Sequence, residues 1–378
     1  MSQLCLLLLN TKIMRHQVSK ITFSLFINLL FQACALHPAA WQPPTKPILE
    51  NQYSLNDKLQ SSTQIELNGW CGPEDIIFDA KGNLYCGVHK ATDDFSDGKI
   101  LKITPQNNVE VYYNAGSWVA GLHFDADSNL IALSHKEGLI RITPNKEVTI
   151  LATKDEKERP FLIPNGLDIA KDGMIYFSNT SYTSPYTIPY GRKLILEIKH
   201  NGGLYKYNPK TAQITTLIDG TYFGNGVVLS KNEDFILMTE TTKYRILKYW
   251  LKGSKTGETE ILIDNLPGFP NGISIRKDGS FWVGFSTKRN DALDGIQAHK
   301  GMKKFVYSLP EFLQPKQELY GIILNLSEEG KVLSALYDTT GEIIPEAGAV
   351  KEYNNTLYIG GDIIEYIGKY HLDKNKVF

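Results

Sequence analysis

The chain is predicted to be an all-β protein, a six-bladed β-propeller with a short helical insertion near residues 287–315. Three observations carry this. A twelve-residue pattern occurs six times, its copies start 46, 45, 60, 46 and 76 residues apart, and the intervening segments hold further strand signals.

The six copies are "EDIIFDAKGNLY" from Glu74, "AGLHFDADSNLI" from Ala120, "NGLDIAKDGMIY" from Asn165, "NGVVLSKNEDFI" from Asn225, "NGISIRKDGSFW" from Asn271 and "AGAVKEYNNTLY" from Ala347. Each reads as alternating apolar residues, a polar turn and a second apolar run, which is the signature of a β-hairpin. The first position, termed L, is followed by Asp75, Gly121, Gly166, Gly226, Gly272 and Gly348. The twelfth position holds Tyr85, Ile131, Tyr176, Ile236, Trp282 and Tyr358. A helix has no means of keeping a turn-centred register of this kind.

Strand signals such as "KILKITP", "GLIRITP", "GGLYKYNP" and "RILKYWLKG" lie between the hairpins, giving about four strands per repeat. Four-stranded units of this period, repeated radially, make a propeller over residues 61–378. The sixth unit lacks outer strands, and the segment near 55–70 is expected to complete it, leaving no free edge. The widest gap holds "TKRNDALDGIQAHKGMKKFVYSLPEFL", read as an amphipathic helical insertion.

Residues 1–34 read as an export signal. Met14 opens a basic stretch, followed by the thirteen-residue apolar run "ITFSLFINLLFQA". The run leads into Ala33-Cys34-Ala35, which resembles a bacterial lipoprotein cleavage site; plain secretion and an uncleaved anchor are the alternatives. The expected location is the periplasm or the outer membrane, with membrane contact only through an N-terminal lipid or anchor. Residues 35–60 would be a linker. Of four cysteines, Cys71 and Cys86 flank the first hairpin, either as a disulfide or as two small buried thiols. A net charge of −1 gives no reason to expect nucleic acid, and a small-molecule substrate is the expected partner.

In a propeller the first strand of each blade lines the central channel, so the six L residues should gather at one mouth. Glu74, Asn165, Asn225 and Asn271 bring oxygen atoms there, which suits a hard cation such as Ca²⁺. The competing reading makes the Asn-Gly pairs turn formers. Fifteen residues beyond L the returning strand ends at the same mouth, at His89, His135, Thr180, Glu240, Ser286 and Asp362. Histidine is the natural acid–base group near neutral pH.

The stretch from "FGNGVVLSKNEDF" to "FPNGISIRKDGSFWVGFST", with "GPEDIIFDAKGNLYCG" and "LYIGGDIIEYIGKYHL", is similar to the strictosidine synthase-like proteins, including the adipocyte plasma membrane-associated proteins. More distantly it resembles gluconolactonase, regucalcin and paraoxonase. The resemblance covers about residues 65–372. It implies a six-bladed propeller with Ca²⁺ near its axis, ester or lactone hydrolysis among the activities, Glu74 as metal ligand, and Asn165 and Asn225 as channel asparagines. Two departures stand out. Asn271 occupies a usual Asp position, and Asn179 falls where the family often has Asp. The synthase's catalytic Glu would fall near Ala347 and Gly348, which argues against condensation chemistry, and Ala120 interrupts the paraoxonase histidine pair.

The expected function is Ca²⁺-dependent hydrolysis of small esters or lactones. Metal ligands would be Glu74, Asn165, Asn225 and Asn271. His135 or Glu240 would activate water with help from His89, and Asn179, Ser286 and Asp362 would contact substrate. The alternative is a non-catalytic, surface-tethered binding propeller, which the lost acids at Asn271 and Asn179 favour.

Overall fold

The structure is a computed structural model that describes residues 36–90 and 95–372. The export signal, Cys34 included, lies outside the described residues. Each repeat folds into one four-stranded antiparallel sheet, six sheets among the described residues. The innermost strands are Ile76–Phe78, Val119–Phe124, Pro164–Ile169, Gly224–Leu229, Gly268–Ile275 and Ala349–Tyr353.

The sequence register is the structural register. The ninth position of the pattern is Gly82, Ser128, Gly173, Glu233, Gly279 and Asn355, and all six have positive φ, between 57° and 95°. This left-handed residue closes each hairpin.

The glycine after L has a different cause, which removes the turn-former reading. Asn165-Gly166, Asn225-Gly226 and Asn271-Gly272 sit inside strands, and their glycines lack positive φ. A Cβ on Gly166 would stand 2.6 Å from the Val227 nitrogen and 2.8 Å from the Asn225 oxygen, and one on Gly226 would stand 2.7 Å from the Asn271 oxygen. Inner strands converge on the axis so closely that only hydrogen fits between them. The pairing register slips between Pro164 and Leu167, between Gly224 and Val227, and between Pro270 and Ile273. A bulge at each Asn-Gly re-aims the asparagine relative to its strand.

Hydrogen bonds stitch neighbouring blades at the same level. Ser178 Oγ donates to the Asn225 carbonyl, Thr180 Oγ1 to Gly224 at 2.6 Å, Thr239 Oγ1 to Asn271 at 2.6 Å and Ser274 Oγ to Val350 at 2.7 Å. Asp75, in the one repeat without glycine there, accepts the Leu122 N–H of the next blade at 2.8 Å. Farther out the aromatic twelfth positions fill the gaps between sheets. Tyr85 meets Phe124 edge-on at 5.2 Å, and Trp282 Nε1 donates to Glu352 at 2.8 Å.

The ring closes as expected. Thr63–Glu66 pairs antiparallel with Tyr366–His371, and Ile65 lies buried opposite Ile367. Residues 36–60, read from sequence as a linker, are instead packed on the propeller, with Leu36 and Leu59 fully buried. Asp338 fastens this belt. Fully buried, its carboxylate accepts the Ile343 and Ile344 N–H groups at 2.8 Å, Gly341 N–H at 3.0 Å and Gln60 Nε2 at 3.2 Å. Burial pushes the Asp338 carboxyl up, but these donors outweigh it and hold it below the usual value. Asp338→Ala is therefore expected to lose about 2–3 kcal/mol at pH 7, as charge-assisted hydrogen bonds do. Because the folded-state value is depressed, that stability is present above the ordinary carboxyl range and fades as acid protonates the folded carboxylate. Urea unfolding at pH 7 and pH 3 measures the difference.

Two insertions stand at the end where the asparagines lie. The 76-residue gap holds α2 (Asp291–Ile296) and α3 (Lys300–Ser308), as the sequence suggested. The 60-residue gap holds α1 (Ile188–Glu197), which the sequence reading did not foresee. The Thr187 hydroxyl caps α1 by accepting the Tyr190 N–H at 3.2 Å, and Asn290 caps α2 by accepting the Leu293 N–H at 3.0 Å.

Candidate functional site

The inner strands enclose a channel of about 120 Å³ lined in part by Glu74, Asn165 and Asn225. At its mouth several oxygen atoms are buried with no hydrogen-bond donor from another group among the described residues: Glu74 Oε2, Asn225 Oδ1, Asn271 Oδ1, Glu346 Oε1 and Asp362 Oδ1, with Glu74 and Asp362 in hydrogen-bond reach of each other. Each asparagine is oriented by its amide nitrogen. Asn271 Nδ2 donates to Ser286 Oγ at 2.9 Å, and Asn225 Nδ2 to Thr241 Oγ1 at 3.4 Å. The carbonyl oxygens are thereby left without partners. Glu346 reaches the group over two glycines. A Cβ at Gly361 would stand 2.9 Å from its Cδ, and one at Gly348 would stand 3.0 Å from Asn271 Nδ2 and 3.6 Å from Glu346 Oε1.

Three carboxyl groups thus lie within electrostatic reach of one another. Burial, then the charge of Asp362 and a hydrogen bond with it, then Glu346, push Glu74 well above its usual range. Burial and the Asp362 charge push Glu346 up as well, although the Ile363 N–H, 3.1 Å from Oε2, works the other way. A buried carboxyl in this state either keeps a proton or is neutralised by a cation.

An aromatic wall borders the carboxyls. Trp118 stacks with Phe95 at 5.0 Å and lies 5.8 Å from Tyr186, with His89 at 4.8 Å and His135 at 5.5 Å from its ring. Trp118 Nε1 is fixed on the Gly72 carbonyl at 3.2 Å. Burial, then the charges of Asp362, Glu74 and Glu346, raise the Tyr186 hydroxyl far above its ordinary value, so this ring lies within electrostatic reach of the trio. Burial, then the neighbouring His89, lower His135 to about 4, which keeps its imidazole neutral at physiological pH.

The structure divides the sequence-selected residues between the axis, the aromatic wall and two positions apart from both. Glu74, Asn165, Asn225, Asn271, Ser286 and Asp362 gather at the axis. His89 and His135 belong to the aromatic wall. His89 Nδ1 lies 3.5 Å from the Cys71 thiol, and Cys71 and Cys86 are both free. Glu240 is otherwise engaged. Arg245 pairs with its Oε2, and the Tyr222 N–H donates to its Oε1 at 2.8 Å, so both oxygens are already engaged and the carboxylate is held as the partner of a guanidinium. Asn179 is buried in the wall of blade three, accepting the Ile163 N–H at 3.1 Å.

Sequence reading missed Glu346, Phe95, Trp118 and Tyr186. Glu346 lies one residue before L in the sixth repeat, outside the repeating register. Its position also removes the argument against condensation chemistry drawn from Ala347 and Gly348, since a carboxylate does reach the mouth from that turn. Among the described residues no three His, Cys, Asp or Glu side chains form a metal cluster by themselves. The donor set here is a mixture of carboxylate and amide oxygens.

Residues 165–254 match the family described as strictosidine synthase, and residues 52–103 the one described as strictosidine synthase-like, N-terminal. Protein strictosidine synthase-like 3 of Arabidopsis thaliana is 30% identical over 359 residues, 87% of this chain and 90% of that protein. Among solved structures, a gluconolactonase of Xanthomonas campestris has a TM-score of 0.59 at 15% identity, over 89% of this chain and 98% of that one. Regucalcin, a calcium-binding protein of Agrobacterium tumefaciens, has a TM-score of 0.55 at 12% identity, over 82% and 94%. At these identities the likeness to solved structures is one of fold.

Proposed function

The chain belongs to the strictosidine synthase-like family, and from that premise we propose that its propeller mouth hydrolyses small esters or lactones with the help of a bound Ca²⁺ ion. The observation that carries this reading is the set of buried oxygens on Glu74, Asn225, Asn271, Glu346 and Asp362 that no N–H or hydroxyl donor satisfies. Buried polar groups are normally satisfied, and oxygen-only donors of mixed charge fit a hard cation. Glu74, Asn225 and Asn271 would hold the ion with Asn165 on the channel side, and Glu346 and Asp362 extend the set. Bound there, the ion would supply polarisation of the substrate carbonyl and stabilisation of the developing oxyanion.

The chain's own residues supply the remainder. The wall of Phe95, Trp118 and Tyr186 seats the apolar part of a substrate and excludes water from it. His135 Nε2, buried and without a partner, accepts the proton of the attacking water; the neutral imidazole is the form that can do so. Glu240 is not given this role, because Arg245 and Tyr222 occupy it. The acids missing at Asn271 and Asn179 favoured a non-catalytic propeller, but Glu346 and Asp362 bring two further carboxyls to the mouth. The fold alone is compatible with both functions. A panel of aryl acetates and lactones, assayed with Ca²⁺ and with chelator, tests the proposal. Calcium-dependent turnover that falls roughly 100-fold or more in His135→Gln, with calcium binding retained, supports it. Turnover indifferent to chelation, or absent across the panel, rejects it.

A further inference from the structure

The cap beside the mouth carries an outward apolar face. Within α3, "KGMKKFVYS" holds three lysines and no acid. Lys303 turns inward, donating to the Ala39 carbonyl at 2.8 Å. On other sides of the helix Met302 is 47% and Phe305 57% exposed, and in the turn that follows Phe312 is 78% and Leu313 56% exposed. Gln314 Nε2 donates to the Tyr307 and Leu309 carbonyls at 3.2 and 2.7 Å, which folds this turn back against the end of α3. Large apolar side chains interleaved with Lys300 and Lys304 are the composition of a surface that lies on lipid. Lysines near an anionic leaflet add attraction.

The N-terminal segment enters at the same cap. The described chain begins in the cap. His37 N–H donates to Glu197 Oε1 at 2.7 Å, Ala39 N–H to the Glu197 carbonyl at 2.9 Å and Trp41 N–H to the Gln297 carbonyl at 3.1 Å. The apolar run of residues 21–33 ends three residues before Leu36, a reach of ~10 Å in extended chain. An anchor in that run would hold the cap within a short reach of the bilayer. Among the described residues no helix is long and apolar enough to cross a membrane.

We propose that Met302, Phe305, Phe312 and Leu313, flanked by Lys300 and Lys304, dock the propeller on an anionic lipid surface with its mouth turned towards the bilayer. The mouth follows closely in the chain, since Gln317 Nε2 donates to the Ser286 carbonyl at 2.8 Å. This surface does not depend on the chemistry at the mouth. All six sheets lie within residues 63–371, so a chain starting at residue 36 contains the whole closed ring and isolates the face from any anchor. Its flotation with vesicles of equal parts phosphatidylcholine and phosphatidylglycerol is the test. Wild type is expected to float, and Phe305→Asp with Phe312→Asp to bind about tenfold less or weaker, with unchanged melting because both side chains are exposed. Lys300→Glu with Lys304→Glu should weaken binding to anionic vesicles but not to pure phosphatidylcholine. Failure of wild type to float, or equal flotation of the Phe variants, overturns the proposal. So does a dimer that the same Phe substitutions disperse, because the face would then belong to a second copy.

Discussion

Glu74→Gln is expected to reverse the order of stability between calcium-loaded and calcium-free protein. Without the ion, Glu74 is a buried carboxyl held well above its usual range by burial, Asp362 and Glu346. The sign follows from proton binding. Between the ordinary carboxyl value and the raised one, the folded state holds a proton that the unfolded state has released, so stability falls as pH rises through that window. The isosteric amide removes this penalty, and calcium-free Glu74→Gln should melt higher than calcium-free wild type at pH 8 and about equally at pH 4. With calcium the order inverts. Wild type gains by ligand linkage, about 2.7 kcal/mol at a hundredfold excess over Kd, while the variant has lost its best anionic donor and gains little. Hydrolysis in the variant should fall roughly 100-fold or more, as for loss of a group that stabilises transition-state charge. Melting curves at the two pH values, with calcium and with chelator, read the crossing. A purely structural glutamate would lower stability in all four conditions.

Gly166→Ala is expected to cost about 3 kcal/mol or more, at the upper end for added volume in a packed interior. The new methyl would meet the Val227 nitrogen, the Gly226 Cα and the Asn225 oxygen, all within 2.8 Å and all backbone. None of these can rotate away, so blades three and four must separate. The bulges that aim Asn165 and Asn225 lie at this contact, so calcium affinity should fall together with stability. Gly253→Ala is the control: nothing lies within 4 Å of its Cβ, and only its φ of 82° opposes the change. Guanidinium unfolding of both variants measures the contrast, and comparable losses would remove the close-packing explanation of the repeated glycine.

The sequence made the ring readable because a propeller imposes one demand six times. The left-handed residue from Gly82 to Asn355 and the apolar twelfth position each recur for a local reason, so alternation and spacing expose them. The glycine after L was visible as a repeat, but its cause was not. Asn-Gly favours turns in isolation, whereas here strand convergence at the axis excludes any Cβ. Glu240 illustrates the opposite failure. Its place in the register was right, yet Arg245 pairs across the hairpin from it and consumes the carboxylate. Glu346 and Tyr186 were hidden because they come from a connecting turn and an insertion. Such segments obey no period, and only their folding beside Gly361 and Trp118 gives them a shared location. The belt at residues 36–60 looked like a linker because it lacks strand periodicity, although its hydrogen bonds to Asp338 and its buried leucines hold it in place.

The central claim, that buried oxygens at the propeller mouth share one cation, is tested most directly by calorimetric titration of chelator-treated protein with Ca²⁺ at neutral pH. The expected result is one ion bound per chain, with binding lost in Glu74→Gln and weakened but retained in Asn271→Ala. No binding heat, or a binding curve that Glu74→Gln leaves unchanged, would contradict it.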